Sequence, residues 1–412
     1  MRTMDQLNFK NEKALVRVDF NVPLDVSTFQ VRDDTRIQSA IPTIQKILND
    51  GGSVILMSHL GRPKGHKTHQ YSLSHIIPVL EKHLHQNIKF ADDCLSSQAF
   101  DLSASLQPGE ILLLENLRFY PEEEKGDKTF AQKLAQHGTI YVNDAFGTAH
   151  RPHASTTIVA EYFPPHKKCF GYLMAKEVEH LRKILQNPER PFTAIVGGAK
   201  VSDKIKVLEA LLKIADHIII GGAMAFTFIK AQGGNIGQSL CEKEYLETAL
   251  NFLNKATIKN AKEIQNTHLH LPIDAVCAKE FTNTPCKTVC PIDSIPPDLM
   301  GLDIGPKSIH LFKNVIASSK SILWNGPMGV FEFSNFEEGT KQVAVAIAEH
   351  TSKNKIFSVI GGGDSVAAIN KYQLEHQISF ISTGGGAMLE FIENNTLPGI
   401  EAIEKARYTP IQ

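Results

Sequence analysis

The chain reads as an α/β protein, with two doubly wound parallel-sheet (Rossmann-like) domains joined by an interdomain helix and hinge. Three observations predict this. Short, nearly continuous apolar runs such as Val54–Ser58 alternate with stretches of helical periodicity, the pattern of parallel strands covered on both faces. The alternation occurs twice, and one long amphipathic segment from about 171 to 187 separates the two series. In the second series the strands run into paired or tripled glycines, and in open parallel sheets ligands bind at those carboxyl ends.

In the first series, Lys13–Asp19, Val54–Ser58, Ile111–Leu114 and Thr139–Val142 are expected strands. Helices are expected over Thr35–Asn49, stopped by Gly51-Gly52, over Leu73–His85, and near Lys128–Gln136. The second series places strands at Phe192–Val196, His217–Ile220, His268–Pro272, Ser321–Trp324, Ile356–Ile360 and Ile378–Ser382. Five glycine turns follow them: Gly197-Gly198, Gly221-Gly222, Asn325-Gly326-Pro327, Gly361-Gly362-Gly363 and Gly384-Gly385-Gly386.

The 412 residues carry 43 Lys+Arg against 44 Asp+Glu, a net charge of -1. With no global basic field, nucleic acid is not an expected partner, and any anion site must be local. The N-terminal residues lack the apolar core of a signal peptide, and no run approaches ~18 apolar residues. No membrane partner and a cytoplasmic location are therefore expected. Six cysteines, at 94, 169, 241, 277, 286 and 290, fit no zinc spacing and read as reduced thiols.

Phe192–Ile205 reads as a buried strand, a two-glycine turn and a helix whose first turns carry Lys200 and Lys204 on one face. That arrangement suits an anion, although two solvated lysines would give the same text. Gly361–Ser365 likewise opens a helix after a strand, its amides suited to a phosphate chain. There Asp364 reads equally well as a ligand for a hard cation or as a helix N-cap. Neither standard nucleotide fingerprint fits. Gly61–Thr68 has His66 where a P-loop needs its second glycine, while Val366 and Leu389 occupy the third glycine position of the dinucleotide motif.

The first series instead offers cations near its strand ends: Arg17, Arg36, His59, Arg62, Arg118, His150 and Arg151, with Asp19 and Asn21. Arginines suit a small, doubly anionic metabolite, and Asp19, His59, Glu115 and Asp144 just past strand ends suggest one crevice.

Arg17–Pro23, Ser58–Pro63, Glu115–Phe119, Asn143–Arg151, Gly197–Lys204, Gly301–Pro306, Trp324–Glu332, Gly361–Ser365 and Ser382–Ala387 together resemble the phosphoglycerate kinase family, in family order and over nearly the whole chain. The resemblance implies reversible, Mg-dependent phosphoryl transfer between 1,3-bisphosphoglycerate and ADP, giving 3-phosphoglycerate and ATP. It implies a monomeric glycolytic kinase whose lobes close about a hinge, with transfer direct and in line.

By motif position, Asp19, Asn21, Arg36, His59, Arg62, Arg118 and Arg151 would hold the phosphoglycerate. Lys204, Gly221, Gly222, Asn325, Glu332, Gly361, Gly362, Gly363, Asp364 and Ser365 would hold the nucleotide, with Asp364 on Mg²⁺. Arg36, Lys200 and Gly385 would stabilise the phosphoryl group in flight. The resemblance also implies a glycerate-binding domain of residues 1–170, rejoined by a C-terminal return over about 395–412. A connector helix over 171–187 and a nucleotide-binding domain over 188–394 complete it. Ala223 and Ser365 depart from common family residues, and the tail Glu404–Gln412 is expected to fray.

Overall fold

The computed structural model describes residues 2–258, 267–405 and 408–410. The chain divides into two compact units, one of 1–179 with 396–412 and one of 180–395. Each is an α/β unit around its own parallel sheet.

The first unit's sheet comprises β1 (Lys13–Val18), β2 (Ser53–Met57), β3 (Lys89–Ala91), β4 (Ile111–Leu114), β5 (Ile140–Asp144) and β6 (Lys168–Phe170). Its spatial order is β3-β4-β2-β1-β5-β6, all parallel. Every residue of β2, β4 and β5 is buried, which is why their text is almost purely apolar. Val16, Val54, Leu56, Leu113 and Val142 form one core with Ile37 and Ile44 of the helix Thr35–Asn49. The chain reverses its direction of sheet growth between β1 and β5, so the crevice of this sheet opens at their carboxyl ends.

The second unit contains β7 (Phe192–Val196), β8 (His217–Ile220), β9 (Asn235–Ile236), β10 (His268–His270), β11 (Asp274–Ala278), β12 (Thr288–Pro291), β13 (Ser294–Ile295), β14 (Met300–Ile304), β15 (Ser321–Asn325), β16 (Phe357–Ile360) and β17 (Phe380–Ile381). Its main sheet runs β10-β8-β7-β15-β16-β17, with the reversal between β7 and β15. Trp324, Ile195, Ile322 and Ile360 anchor its core against Val343 and Ile347 of the helix Glu338–Asn354.

Several elements differ from the sequence reading. The three-residue strands β3 and β6 have too short a pattern to stand out. Residues 274–304 form an antiparallel sheet, β12-β11-β14, and the short strand β13 that pairs in parallel with β9, none of which the glycine-ended runs announce. Leu73–His85 begins as a 3₁₀ turn over Leu73–Ile76 before the α-helix Ile77–Leu84, and His85 ends it in the left-handed conformation at φ 55°.

The helix Tyr172–Gln186 passes from the first unit into the second. Asp144 holds its start, accepting from the Met174 amide at 3.0 Å. At the other end of the chain, the helix Pro398–Glu404 returns to the first unit, where the Gly399 amide donates to Ala149 O at 2.8 Å. Of the tail beyond it, 406–407 and 411–412 lie outside the described residues. The Thr409 amide donates to Glu161 O at 2.6 Å, so this part is docked rather than frayed.

Candidate functional site

In the first unit, the site begins with Arg17, near the end of β1. Its guanidinium is fully buried. Nε donates to Ser155 Oγ at 2.8 Å, Nη1 donates to Val18 O, and Nη2 lies 3.3 Å from His59 Nδ1. Ser155 in turn donates from both its amide and its hydroxyl to the buried carboxylate of Glu123. A buried cation is expensive unless hydrogen-bonded and paired, and Glu123 supplies that charge through Ser155.

Around this post stand the other cations. Arg36 Nη1 donates to Asp19 Oδ2 at 2.9 Å, while Asp19 Oδ1 stands 4.0 Å from His59. Arg118 is buried in the 3₁₀ turn Leu117–Phe119 after β4, where Nη1 donates to Gly61 O at 2.8 Å and Nε approaches Glu124 at 3.4 Å. Arg151 Nε lies 3.2 Å from His150 Nε2. Arg17, Arg36 and Arg118 all act electrostatically on His59, and Arg17, Arg118 and Arg151 on His153. The fold thus gathers four arginines and three histidines at the β1–β5 crevice.

Burial, reinforced by Arg17, Arg118 and Arg36, pushes the His59 imidazole well below its usual range. Burial, reinforced by Arg17, Arg118 and Arg151, takes His153 down to about 3. At neutral pH the charge of the patch therefore resides in its arginines, and the histidines enter as neutral hydrogen-bonding groups. Sequence reasoning counted His59 among the cations. It also missed His153, which lies two residues past Arg151 and carries no strand-end signal.

Two residues picked for their strand ends prove structural. Glu115 accepts from the Leu73 and Asn116 amides and from the Ser72 hydroxyl, and Asp144 is committed to the connecting helix. Asn21 accepts from the Gly61 amide at 2.8 Å, which pins the loop carrying His59 and Arg62. Arg62 itself is exposed on that loop.

The second unit builds its site from backbone. Gly197 and Gly198 end β7, and Asn325 and Gly326 end β15, on either side of the sheet reversal. Gly326 has φ 97°, and a Cβ there would lie 2.2 Å from Gly197 O. Gly222, at φ 68°, would meet Gly198 N and O at 2.5 Å. Only glycine lets these turns approach one another so closely.

Lys204 donates to Asn325 Oδ1, and Asn325 Nδ2 donates to Gly361 O at 2.7 Å, so three turns are tied together. Burial lowers the proton affinity of Lys204, opposed by Asp203 and Asp364. Ser365 is buried beneath the turns, its hydroxyl accepting from the Gly326 amide at 2.6 Å.

The lysines do not share a helical face as expected. The helix starts at Ile205, Lys204 is its N-cap, and Lys200 sits in the preceding turn, exposed. Glu242, far along the chain, accepts from the Ser202 amide at 3.0 Å and from its hydroxyl at 2.6 Å, holding the turn off the helix.

Gly362 is the N-cap of the helix Gly363–Lys371. Asp364 is therefore not the cap; it stands exposed in the first turn, with the unpaired amides of that turn beside it. Gly385 opens the helix Gly385–Asn394, where a Cβ would meet nothing within 4 Å.

Between these turns and the antiparallel sheet lies a cavity of about 480 Å³. Gly198, Gly222, Glu332 and Asp364 line its polar edge, and Phe226, Met300 and Leu302 its apolar depth. An apolar slot beside helix N-terminal amides accommodates a flat aromatic body with an anionic tail. Among the described residues no group of three His, Cys, Asp or Glu is placed to hold a metal by itself, and no helix is long and apolar enough to cross a membrane.

A family model described as phosphoglycerate kinase matches residues 4–395. Phosphoglycerate kinases of Porphyromonas gingivalis and Borrelia turicatae are 50% and 48% identical to this chain. Each alignment covers 98% of it and 100% of the relative. The solved phosphoglycerate kinase of Coxiella burnetii superposes with a TM-score of 0.88 at 39% identity, covering 98% of both chains. That of Pyrococcus horikoshii OT3 gives 0.80 at 30% identity. With motifs, fold and relatives in agreement over almost its full length, the chain belongs to the phosphoglycerate kinase family, kinases that transfer a phosphoryl group to a carboxylate.

Proposed function

We propose that this member of the family performs its phosphoryl transfer by holding phosphoglycerate with the cations of the first unit and the nucleotide with the backbone of the second. The observation that carries this reading is where the motif residues gather. In each unit they collect at the carboxyl edge of the sheet, as arginines in one and glycine amides in the other.

On the glycerate side, Asp19, Asn21 and Arg36 take the glycerate end, and His59, Arg62, Arg118 and Arg151 its phosphate. The charge of that patch and its fixed hydrogen bonds support these roles. On the nucleotide side, Gly221, Gly222 and Glu332 border the base and ribose. Lys204, Asn325 and the turn Gly361–Ser365 take the phosphates. Asp364 is exposed on the cavity rim and can offer one carboxylate oxygen to the Mg²⁺ that arrives with the nucleotide. Phosphates and water complete the shell of such an ion, which fits a site with a single protein carboxylate.

The chemistry needs no general base, because a carboxylate acceptor is already ionised at neutral pH. What remains is alignment and neutralisation of the phosphoryl group in flight. Arg36, Lys200 and the amide of Gly385 fill that role: two cations that are partly or wholly exposed, and a helix start with open space beside it. Since the two sets of residues belong to different units, transfer requires closure, with the bend placed at the helix Tyr172–Gln186. Closure would exclude water from the labile acyl phosphate. We take the enzyme to be a cytoplasmic monomer.

The purified chain should form ADP from MgATP in a 3-phosphoglycerate-dependent way, and the lack of any 3-phosphoglycerate-dependent ADP formation would sink the reading. For closure, small-angle scattering should show a smaller radius of gyration with both substrates than with either alone.

A further inference from the structure

Away from both substrate sites, β8 and β10 form the outer edge of the second unit's main sheet. His217 begins β8, and the register sets it directly opposite His268, with His270 two residues further along the same face of β10. The three rings meet. His217 Nδ1 lies 3.1 Å from His270 Nε2, and the His217 ring centroid lies 5.4 Å from that of His268 and 5.2 Å from that of His270.

We propose that His217 and His270 form a chelating site for a divalent late transition-metal ion of the Zn²⁺ or Ni²⁺ type, with His268 at its rim. The bite distance carries the argument. Two imidazole nitrogens each about 2.0–2.1 Å from one ion and 3.1 Å from each other subtend an angle of roughly 98° at the metal, within the range such ions accept. The strand register holds both ligands, so little order has to be gained on binding.

The surroundings are permissive. Among the described residues, the ionisable neighbours acting on the pair are His268 and Asp216, with no lysine or arginine among them. Asp216 is engaged elsewhere, with Arg190 and the Phe192 amide at 2.6 Å each. In the metal-free pair one ring nitrogen donates to the other. On binding, that ring moves its proton to its second nitrogen, so both facing lone pairs reach the ion and no net proton is released. Water or an outside ligand fills the remaining positions. Mg²⁺, a hard ion with oxygen preference, would not compete.

The test is calorimetric titration of Zn²⁺ and Ni²⁺ into the nucleotide-free, full-length chain, alongside His217→Gln and His270→Gln. The proposal expects one equivalent that is weakened about 10-fold or more in either variant, since loss of a ligand costs at least what loss of its supporting partner does. The metal should also raise the melting temperature of the wild-type chain but not of the variants. Melting without metal controls for misfolding, and phosphoglycerate-dependent turnover should be unchanged in both variants. Binding of equal strength in the wild type and His270→Gln would overturn the assignment, placing the ion elsewhere. Absence of binding in the wild type would also overturn it, leaving only a hydrogen-bonded histidine pair.

Discussion

On the proposed reading, the two units solve anion recognition in opposite ways. The first fixes charged side chains in advance: Arg17 is wholly buried, and Asp19, Glu123 and Ser155 hold its cluster in place. The second uses almost no fixed charge. Its glycines pack backbone on backbone, and of its candidate side chains Lys200 and Asp364 are exposed while Lys204 is tied to Asn325. A small, doubly charged metabolite offers little but charge and rewards rigid guanidinium forks. A nucleotide offers a large apolar body, so an apolar slot with amides at its mouth is enough. On the proposed reading, binding energy would come from side chains in one unit and from backbone and apolar surface in the other.

The comparison can be broken in four places. The largest effect is expected where a loose side chain of the second unit acts on the transferred group itself. Lys200→Ala should lower kcat by ~10²-fold or more with little change in nucleotide affinity, as for lost oxyanion-type stabilisation. An equal loss of affinity in binding titrations would make it an anchor instead.

Next, removing a pre-fixed cation should damage only one substrate. Arg118→Met is expected to raise KM for 3-phosphoglycerate about 10- to 100-fold, the worth of a charge-assisted hydrogen bond, while KM for ATP stays near wild type. Parallel rises in both constants would erase the division of labour.

Third comes the backbone. In Gly222→Ala the new methyl would meet Gly198 at 2.5 Å with φ at 68°. A loss of ~1–3 kcal/mol in denaturant stability is expected, together with weaker nucleotide binding and unchanged phosphoglycerate binding.

The fourth test concerns pH. His153, about 3 in the fold against its ordinary 6.5, is neutral when folded and protonated when unfolded within that window. The unfolded state then binds more protons, so the His153 contribution is complete above pH 6.5 and drains away as pH falls toward 3. His59 acts in the same direction. In the second unit, Asp303 is raised by burial to about 8 against 3.8, so its contribution is present below 3.8 and is lost as pH rises toward 8. Chemical denaturation across pH should show His153→Gln flattening the acid limb and Asp303→Asn the neutral limb. The same flattening from both substitutions would contradict the contrast.

Much of this was legible in the sequence, and the misses share a cause. Buried parallel strands such as β4 and β7 write themselves as apolar runs, and glycine turns mark the binding edge, because both follow from local chemistry. Whether an acidic residue past a strand works on a ligand or on the scaffold depends on partners far along the chain. Asp19 faces Arg36, whereas Glu115 is spent on Ser72 and Leu73, and Asp144 on the connecting helix. The same holds for Lys200, kept off the helix by a contact between Ser202 and Glu242. The antiparallel strands of residues 274–304 escaped notice because β12 is mostly exposed and none of the three runs into a paired-glycine turn.

The return of Pro398–Glu404 to the first unit has a consequence for biosynthesis. During translation, every residue of the second unit leaves the ribosome before the first unit's last helix does. That helix arrives beside Ala149, with Gly399 close enough that a Cβ would stand 3.1 Å from it. Ala149 immediately precedes His150 and Arg151. The cation cluster of the half made first therefore gains this neighbouring helix only after the half made second has been synthesised.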